Sequence, residues 1–216
     1  MAAENCLCKL LDRGSVESHR LFRARKTVFE MLRDRGYSVS DNDLSMTLPH
    51  FRELYGEEPD TSQLTITTAM DRDPSQRIMV LFCAVDAAKL AHMREYIKQI
   101  LNEKVHDAII VYRNSMTPQA RIAIKEMPSP YSVELFQMSD LLVNITEHVL
   151  KPKHDILTPE EKDELLKKYS VTDNQLPRML QTDAISRYYG LKPGQIVKIT
   201  YSDEPIESFM TYRCVN

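Results

Sequence analysis

Residues 107–137 read "DAIIVYRNSMTPQARIAIKEMPSPYSVELFQ", and the order of patterns within them decides the fold class. "DAIIVYR" (107–113) is an apolar, partly β-branched run of strand length, and "YSVELFQ" (131–137) is a second one. Between them "TPQA" (117–120) opens a short helix, with Pro118 at the first helical position, where a missing N–H costs nothing. Strand, helix and strand in this order call for a crossover that sets the strands parallel. Upstream, "AAKLAHMREYIKQILNEK" (87–104) reads as a helix, and "QLTITT" (63–68) with "RIMVLFC" (77–83), separated by "DRDPSQ" (71–76), reads as a hairpin. Earlier still, "ESHRLFRARKTVFEMLRDRG" (17–36) repeats Leu21, Ala24, Val28, Met31 and Leu32 at helical spacing, with Gly36 placed for a left-handed cap. A short helix follows Thr47 in "TLPHFRELYG" (47–56). The fold class is α/β, α+β over the whole chain, with a first domain at residues 1–145.

"LLVNITEHVLKPKHDIL" (141–157) carries a proline and mixed charge and marks the boundary to a smaller domain at residues 146–216. That domain opens on "TPEEKDELLKKY" (158–169), where Thr158, Pro159 and Glu161 spell a capping box. An extended "NQLPRM" (174–179) leads to a second short helix, "DAISRYYGL" (183–191), with Asp183 as its cap. Two strands, "QIVKITYS" (195–202) and "SFMTYRCVN" (208–216), close the chain.

Composition excludes several function classes. Lys plus Arg number 28 against 31 Asp plus Glu, a formal net charge of -3, so strong duplex binding by the chain alone is disfavoured, because counterion release needs a basic face. Cys6, Cys8, Cys83 and Cys214 lack zinc-site spacing, and no apolar leader precedes them, so a reducing compartment is expected. No run approaches the roughly 18 apolar residues of a membrane span, and no membrane partner is expected.

"RYYGLKPGQIVKI" (187–199) has the glycines and lysine of a phosphate loop, yet it runs from helix to strand, so no helix N-terminus faces a ligand. Gly190 instead caps the helix, and Pro193 with Gly194 suit a type II turn. The triplet Glu160, Glu161, Lys162 resembles a metal-nuclease signature but sits in a capped first turn. His148 and His154, six residues apart, share no helical face and have no partner ligands at metal-site spacing. Tyr188 and Tyr189 could stack on bases, but an aromatic pair closing a helix is more often core. No dinucleotide fingerprint and no nucleophile elbow occurs, so no cofactor and no catalytic residue is assigned.

Together, "HVLKPKH" (148–154), "QLPR" (175–178) and "RYYGLKPGQIVKI" (187–199) closely resemble the assembly domain of the fifth subunit of eukaryotic nuclear RNA polymerases, a family with an archaeal counterpart. The resemblance extends through "RLFRARKTVFEMLRDRGY" (20–37) and the "TPQA" stretch, so nearly the whole chain is covered. It implies a non-catalytic subunit with an N-terminal jaw domain near downstream duplex DNA and a C-terminal domain that docks on the largest polymerase subunit. It implies that Thr117, Pro118, Gln119 and Ala120 lie nearest the DNA. The positions that match the assembly motif are His148, Pro152, His154, Gln175, Leu176, Pro177, Arg178, Asp183, Arg187, Tyr188, Gly190, Leu191, Gly194 and Lys198.

The chain departs from the family pattern at Ala184, where relatives carry proline, and at Pro193, where they carry a basic residue. Its last hairpin, "YSDEPIESFMTYR" (201–213), has lost a glycine and basic residues and gained Asp203, Glu204 and Glu207. Exchanging basic for acidic groups at a contact changes partner choice more than fold. With "SVESHR" (15–20) and "DRGYSVSD" (34–41), these departures look most like the plant variant in RNA polymerase V, which acts in the nucleus in RNA-directed DNA methylation and gene silencing. The alternatives are the shared subunit of polymerases I, II and III and, from other classes, a metal-dependent nuclease or a free-standing nucleic-acid-binding protein.

Overall fold

The computed structural model describes residues 14–83, 85–201 and 209–216. The chain divides into two units, the first ending at Val143 and the second running Asn144–Asn216.

The first unit starts with α1 (Val16–Asp34), whose N-cap Ser15 accepts hydrogen bonds from the N–H groups of Glu17 and Ser18. Its apolar stripe of Leu21, Ala24, Val28, Met31 and Leu32 is fully buried, as the helical spacing predicts. At its end Gly36 takes φ 88° and donates to Arg33 O, while Tyr37 N–H reaches back to Leu32 O at 3.0 Å. This pairing satisfies two carbonyls that the last turn would leave bare. Short helices α2 (Asp41–Ser45) and α3 (Leu48–Tyr55) follow.

Strands β1 (Ile66–Ala69) and β2 (Arg77–Cys83) form the expected hairpin, with Ile66 opposite Val80 and Ala69 opposite Arg77. Gln63 and Leu64, read as strand, belong instead to a 3-10 turn, Thr61–Leu64, because the Asp60 carboxylate captures Ser62 N–H at 3.0 Å. The two-residue strands β3 (Ala87–Ala88) and β5 (Ser115–Met116) pair with each other, on either side of α4 (Leu90–Glu103) and β4 (Asp107–Tyr112). Helix α5 (Pro118–Lys125) and strand β6 (Ser132–Gln137) complete the unit. The main sheet runs β1-β2-β4-β6, with β2, β4 and β6 mutually parallel.

Parallel strands need cover on both faces, which explains the nearly unbroken apolar runs of β2 and β4. Met79, Leu81, Ala108 and Ile110 pack with Met93 and Ile100 of α4 and Ala120 and Ile124 of α5. Ile78, Val80, Phe82, Ile109 and Val111 alternate to the other face and are equally buried. The C-terminus of α1 is tied to β6 by a bidentate pair, Arg35 to Glu134 at 3.0 and 2.8 Å, with the arginine side chain 6% exposed.

The second unit contains a strand within the segment read as a boundary, β7 (Lys153–Ile156). Two charged residues after a proline hide it from periodicity, and its place at the sheet edge is where such residues are tolerated. Helix α6 (Pro159–Tyr169) carries the expected capping box: Thr158 Oγ1 accepts from Glu161 N–H at 3.3 Å, and Glu161 Oε2 accepts from Thr158 N–H at 2.8 Å. Strand β8 (Arg178–Met179) and helix α7 (Ala184–Tyr189) follow, with Asp183 capping α7 through Ile185 N–H at 2.9 Å. The chain then enters β9 (Ile196–Tyr201) and ends in β10 (Phe209–Val215).

The sheet order is β7-β9-β10-β8. Alternation along β9 sends Val197 and Ile199 toward Ile185 and Tyr189 of α7, and Ile196 toward Leu165 and Leu166 of α6. The two helices therefore cover opposite faces of one small sheet. Lys162 of α6 bridges to Asp173 at 2.6 Å and to Gly194 O at 2.8 Å, fastening the helix to the turn before β9.

Two stability predictions follow from these contacts. Glu134→Ala removes the carboxylate paired with a buried guanidinium and should lower the unfolding free energy by about 2 kcal/mol, below the value of a fully buried pair because Glu134 is partly exposed. Gly194→Ala should cost about 1–2 kcal/mol from its φ of 87° alone, since nothing lies within 4 Å of the added methyl. Denaturant unfolding of the full chain measures both, and Gly194→Asn should lose less than Gly194→Ala.

Candidate functional site

The turn that "RYYGLKPGQIVKI" builds fixes most of the motif residues. Gly190 takes φ 62°, its N–H donating to Arg187 O, and Leu191 N–H reaches Ser186 O at 2.9 Å. From Lys192 the chain reverses through Pro193 and Gly194, and Gln195 N–H closes the turn on Lys192 O at 3.2 Å. Gln195 Oε1 in return accepts Lys192 N–H at 2.7 Å. The backbone N–H groups of Gly190, Leu191, Lys192, Gly194 and Gln195 all donate within the unit and Pro193 has none, so this loop has no free nest for a phosphate.

Tyr188 and Leu191 are each 3% exposed. Leu191 packs with Met179, Val197, Ile199 and Val215, while Tyr188 lies edge-on to Tyr189 with its hydroxyl 3.4 Å from Asn144 Nδ2. These two matched positions build the interior of the unit. Lys198 is half-buried in the middle of the sheet, between Asp155 and Tyr212 in register. Gln175 caps its own 3-10 turn, accepting Thr172 N–H at 2.8 Å, and Leu176 sits in the α6-side cluster. Pro177 O accepts Cys214 N–H at 2.8 Å, and Arg178 lies beside Cys214 in the parallel pair. Asp183, Ala184 and Pro193 are exposed, and Arg187 is half-buried. Asp203, Glu204 and Glu207 lie outside the described residues.

The two histidines of "HVLKPKH" hold backbone. His148 Nδ1 accepts Leu150 N–H at 3.2 Å, and the His154 ring donates from Nδ1 to Pro152 O at 2.7 Å. Burial, opposed by the Pro152 carbonyl and Asp183, holds the His154 imidazole below its ordinary pKa, so it is neutral at neutral pH. Sequence spacing tests histidines for metal ligation and carries no signal for this clamping. Between them, Val149 and Leu150 are 96% and 83% exposed.

In the first unit, Thr117 caps α5, its hydroxyl accepting Ala120 N–H at 3.4 Å, and its own N–H donates to Ala88 O. Pro118 and Gln119 face outward, whereas Ala120 is buried against Met93 and Ile110. Thus the "TPQA" stretch divides into two surface residues, a cap and a core residue. Glu161 and Lys162 of the nuclease-like triplet are committed to the capping box and to Asp173 with Gly194 O. Among the described residues, no group of three or more His, Cys, Asp or Glu side chains is placed to hold a metal ion.

Two family models match the chain: "RNA polymerase Rpb5, N-terminal domain" over residues 15–100 and "RNA polymerase Rpb5, C-terminal domain" over residues 143–215. Subunit 5B of DNA-directed RNA polymerases IV and V from Arabidopsis thaliana is 46% identical over 207 residues, covering 95% of this chain and 94% of its own length. Subunit 5A of RNA polymerase V from the same plant is 45% identical over 211 residues, with 97% and 94% covered. The RPABC1 subunit of RNA polymerases I, II and III from Caenorhabditis elegans is 40% identical over 205 residues, with 93% and 97% covered. Domain order, turn chemistry and matches along nearly the full length agree, and the chain belongs to the Rpb5 family of DNA-directed RNA polymerase subunits.

Proposed function

We propose that the chain is a non-catalytic structural subunit of a nuclear RNA polymerase, and that the polymerase is RNA polymerase V, acting in RNA-directed DNA methylation and gene silencing. The observation that carries the choice is the order of identities, 44–46% with plant subunits of polymerases IV and V against 40% with the nematode shared subunits. In this reading the second unit docks on the largest subunit through its exposed motif residues, while Tyr188, Leu191 and Gly190 shape it from within. The first unit lies near downstream duplex DNA, with Pro118 and Gln119 outermost. A formal net charge of -3 supports a contact that is weak and made only within the assembled enzyme. Membership of the shared subunit of polymerases I, II and III is the second reading, favoured by the 40% identity that spans 93% of the chain.

Tagged protein purified from source nuclei should bring down the largest subunit of RNA polymerase V, identified by mass spectrometry. Recovery of the polymerase II largest subunit alone would overturn the assignment. A duplex-DNA titration of the free chain at two salt concentrations should show weak binding. A shallow salt dependence is expected; a steep one with tight binding would identify a free-standing nucleic-acid binder instead.

A further inference from the structure

In the β1–β2 hairpin Met70 N–H donates to Gln76 O at 2.9 Å, and hydrogen-bonded pairs recur at every second residue, Thr68 opposite Ile78 and Ile66 opposite Val80. Phe82 is the next such position on β2, but the chain that would pair with it has left the sheet in the Thr61–Leu64 turn. Its N–H and carbonyl therefore face away from β4, into a cleft of about 110 Å³ between that turn and α4. Thr61, Thr65, Leu81, Tyr96 and Gln99 line the cleft with Phe82. Tyr96 Oη donates to Phe82 O at 3.3 Å, and Thr65 Oγ1 donates to Ser62 O at 3.0 Å. Phe82 is 2% exposed, yet among the described residues no acceptor takes its N–H. A buried backbone donor without a partner calls for one from outside the chain.

We propose that this cleft binds a neutral primary carboxamide, either a free small amide or the side chain of an asparagine or glutamine on another protein. The inference goes beyond the polymerase reading and does not depend on it. The lining fixes the ligand's chemistry. Phe82 N–H can only donate, whereas the Tyr96 and Thr65 hydroxyls have each given their one proton to a backbone carbonyl and offer lone pairs. Burial pushes the pKa of the Tyr96 hydroxyl up, helped by Cys83 and Glu95, so that proton stays in place at neutral pH. A ligand that answers both kinds of group must accept one hydrogen bond and donate others. A carboxylate has no proton to donate and meets no cation in the lining, and an ammonium has no lone pair for Phe82 N–H. The amide group carries both functions on one carbon, and Leu81 supplies apolar surface for the attached methylene groups. A cavity of roughly 150 Å³ takes up benzene, so this cleft holds about five non-hydrogen atoms, the size of propionamide.

Backbone-amide NMR of the isotope-labelled full chain tests this, with propionamide as the probe. The Phe82 N–H signal should shift saturably, and its neighbours in the cleft should follow the same binding curve, in the millimolar range. Propionate should give no saturable shift, and butanone, which accepts but cannot donate, should bind about threefold more weakly or worse. Thr65→Val keeps the side chain's shape, removes an acceptor and should weaken propionamide binding by about threefold or more. Thr61→Leu, which fills part of the cleft from the surface turn, should weaken it further, whereas Thr67→Val on the exposed face of β1 should leave it unchanged. The amide spectrum of each variant reports its folding directly. A blocked alanine-glutamine-alanine tripeptide that shifts Phe82, when its methionine counterpart does not, supports the proposal with a protein side chain as the source. Propionamide binding without tripeptide binding supports it with a free small amide as the source. No saturable shift of Phe82 with either probe would make the cleft a water site and overturn the proposal. Propionamide binding unchanged in both Thr65→Val and Thr61→Leu would overturn it as well.

Discussion

Between Tyr189 and Ile196 the chain must stop a helix, reverse and enter the central strand of the second unit, and two glycines in left-handed conformations make that possible. Gly190 at φ 62° ends α7, and Gly194 at φ 87° turns the chain into β9. A side chain at either position would strain the backbone by about 1–2 kcal/mol. Lys162 locks the reversal from the far face by binding Gly194 O and Asp173 together. Once β9 is set, β7 and β10 pair on its two sides, β8 adds to β10, and the two helices find their faces by simple alternation.

What the sequence discloses in advance is local. The capping box at Thr158, the cap at Asp183, the type II turn at Pro193 and the apolar stripe of α1 each depend on residues within a few positions of one another, and each is present in the structure. The strands β3, β5 and β8 have two residues each, and β7 has four. They exist only because a partner far along the chain supplies hydrogen bonds, and propensity carries no trace of that. The histidines of "HVLKPKH" were hidden for a different reason: a ring nitrogen bound to a backbone group two residues away is local, yet it leaves no sequence period. Tyr188 and Leu191 stand in the family motif, yet their burial gives them packing roles that a motif alone cannot separate from surface ones.

The first unit shows a related division of labour. Its parallel strands are buried on both faces and its outer elements are tied by specific polar contacts, Arg35 with Glu134 and Arg113 with Glu17 and Asp86. The "TPQA" stretch is rooted by Thr117 and Ala120 and offers only Pro118 and Gln119 outward. Such an element presents a small surface with no charge of its own.

In the proposed function the chain joins its polymerase through the second unit. Lysine footprinting by an acylating reagent tests this directly, comparing the free chain with the same chain in purified polymerase. Lys153, 73% exposed on β7, should be modified in the free chain and strongly protected in the assembled enzyme. Equal modification of Lys153 in both states would contradict the claim that this part of the second unit is where the chain joins its polymerase.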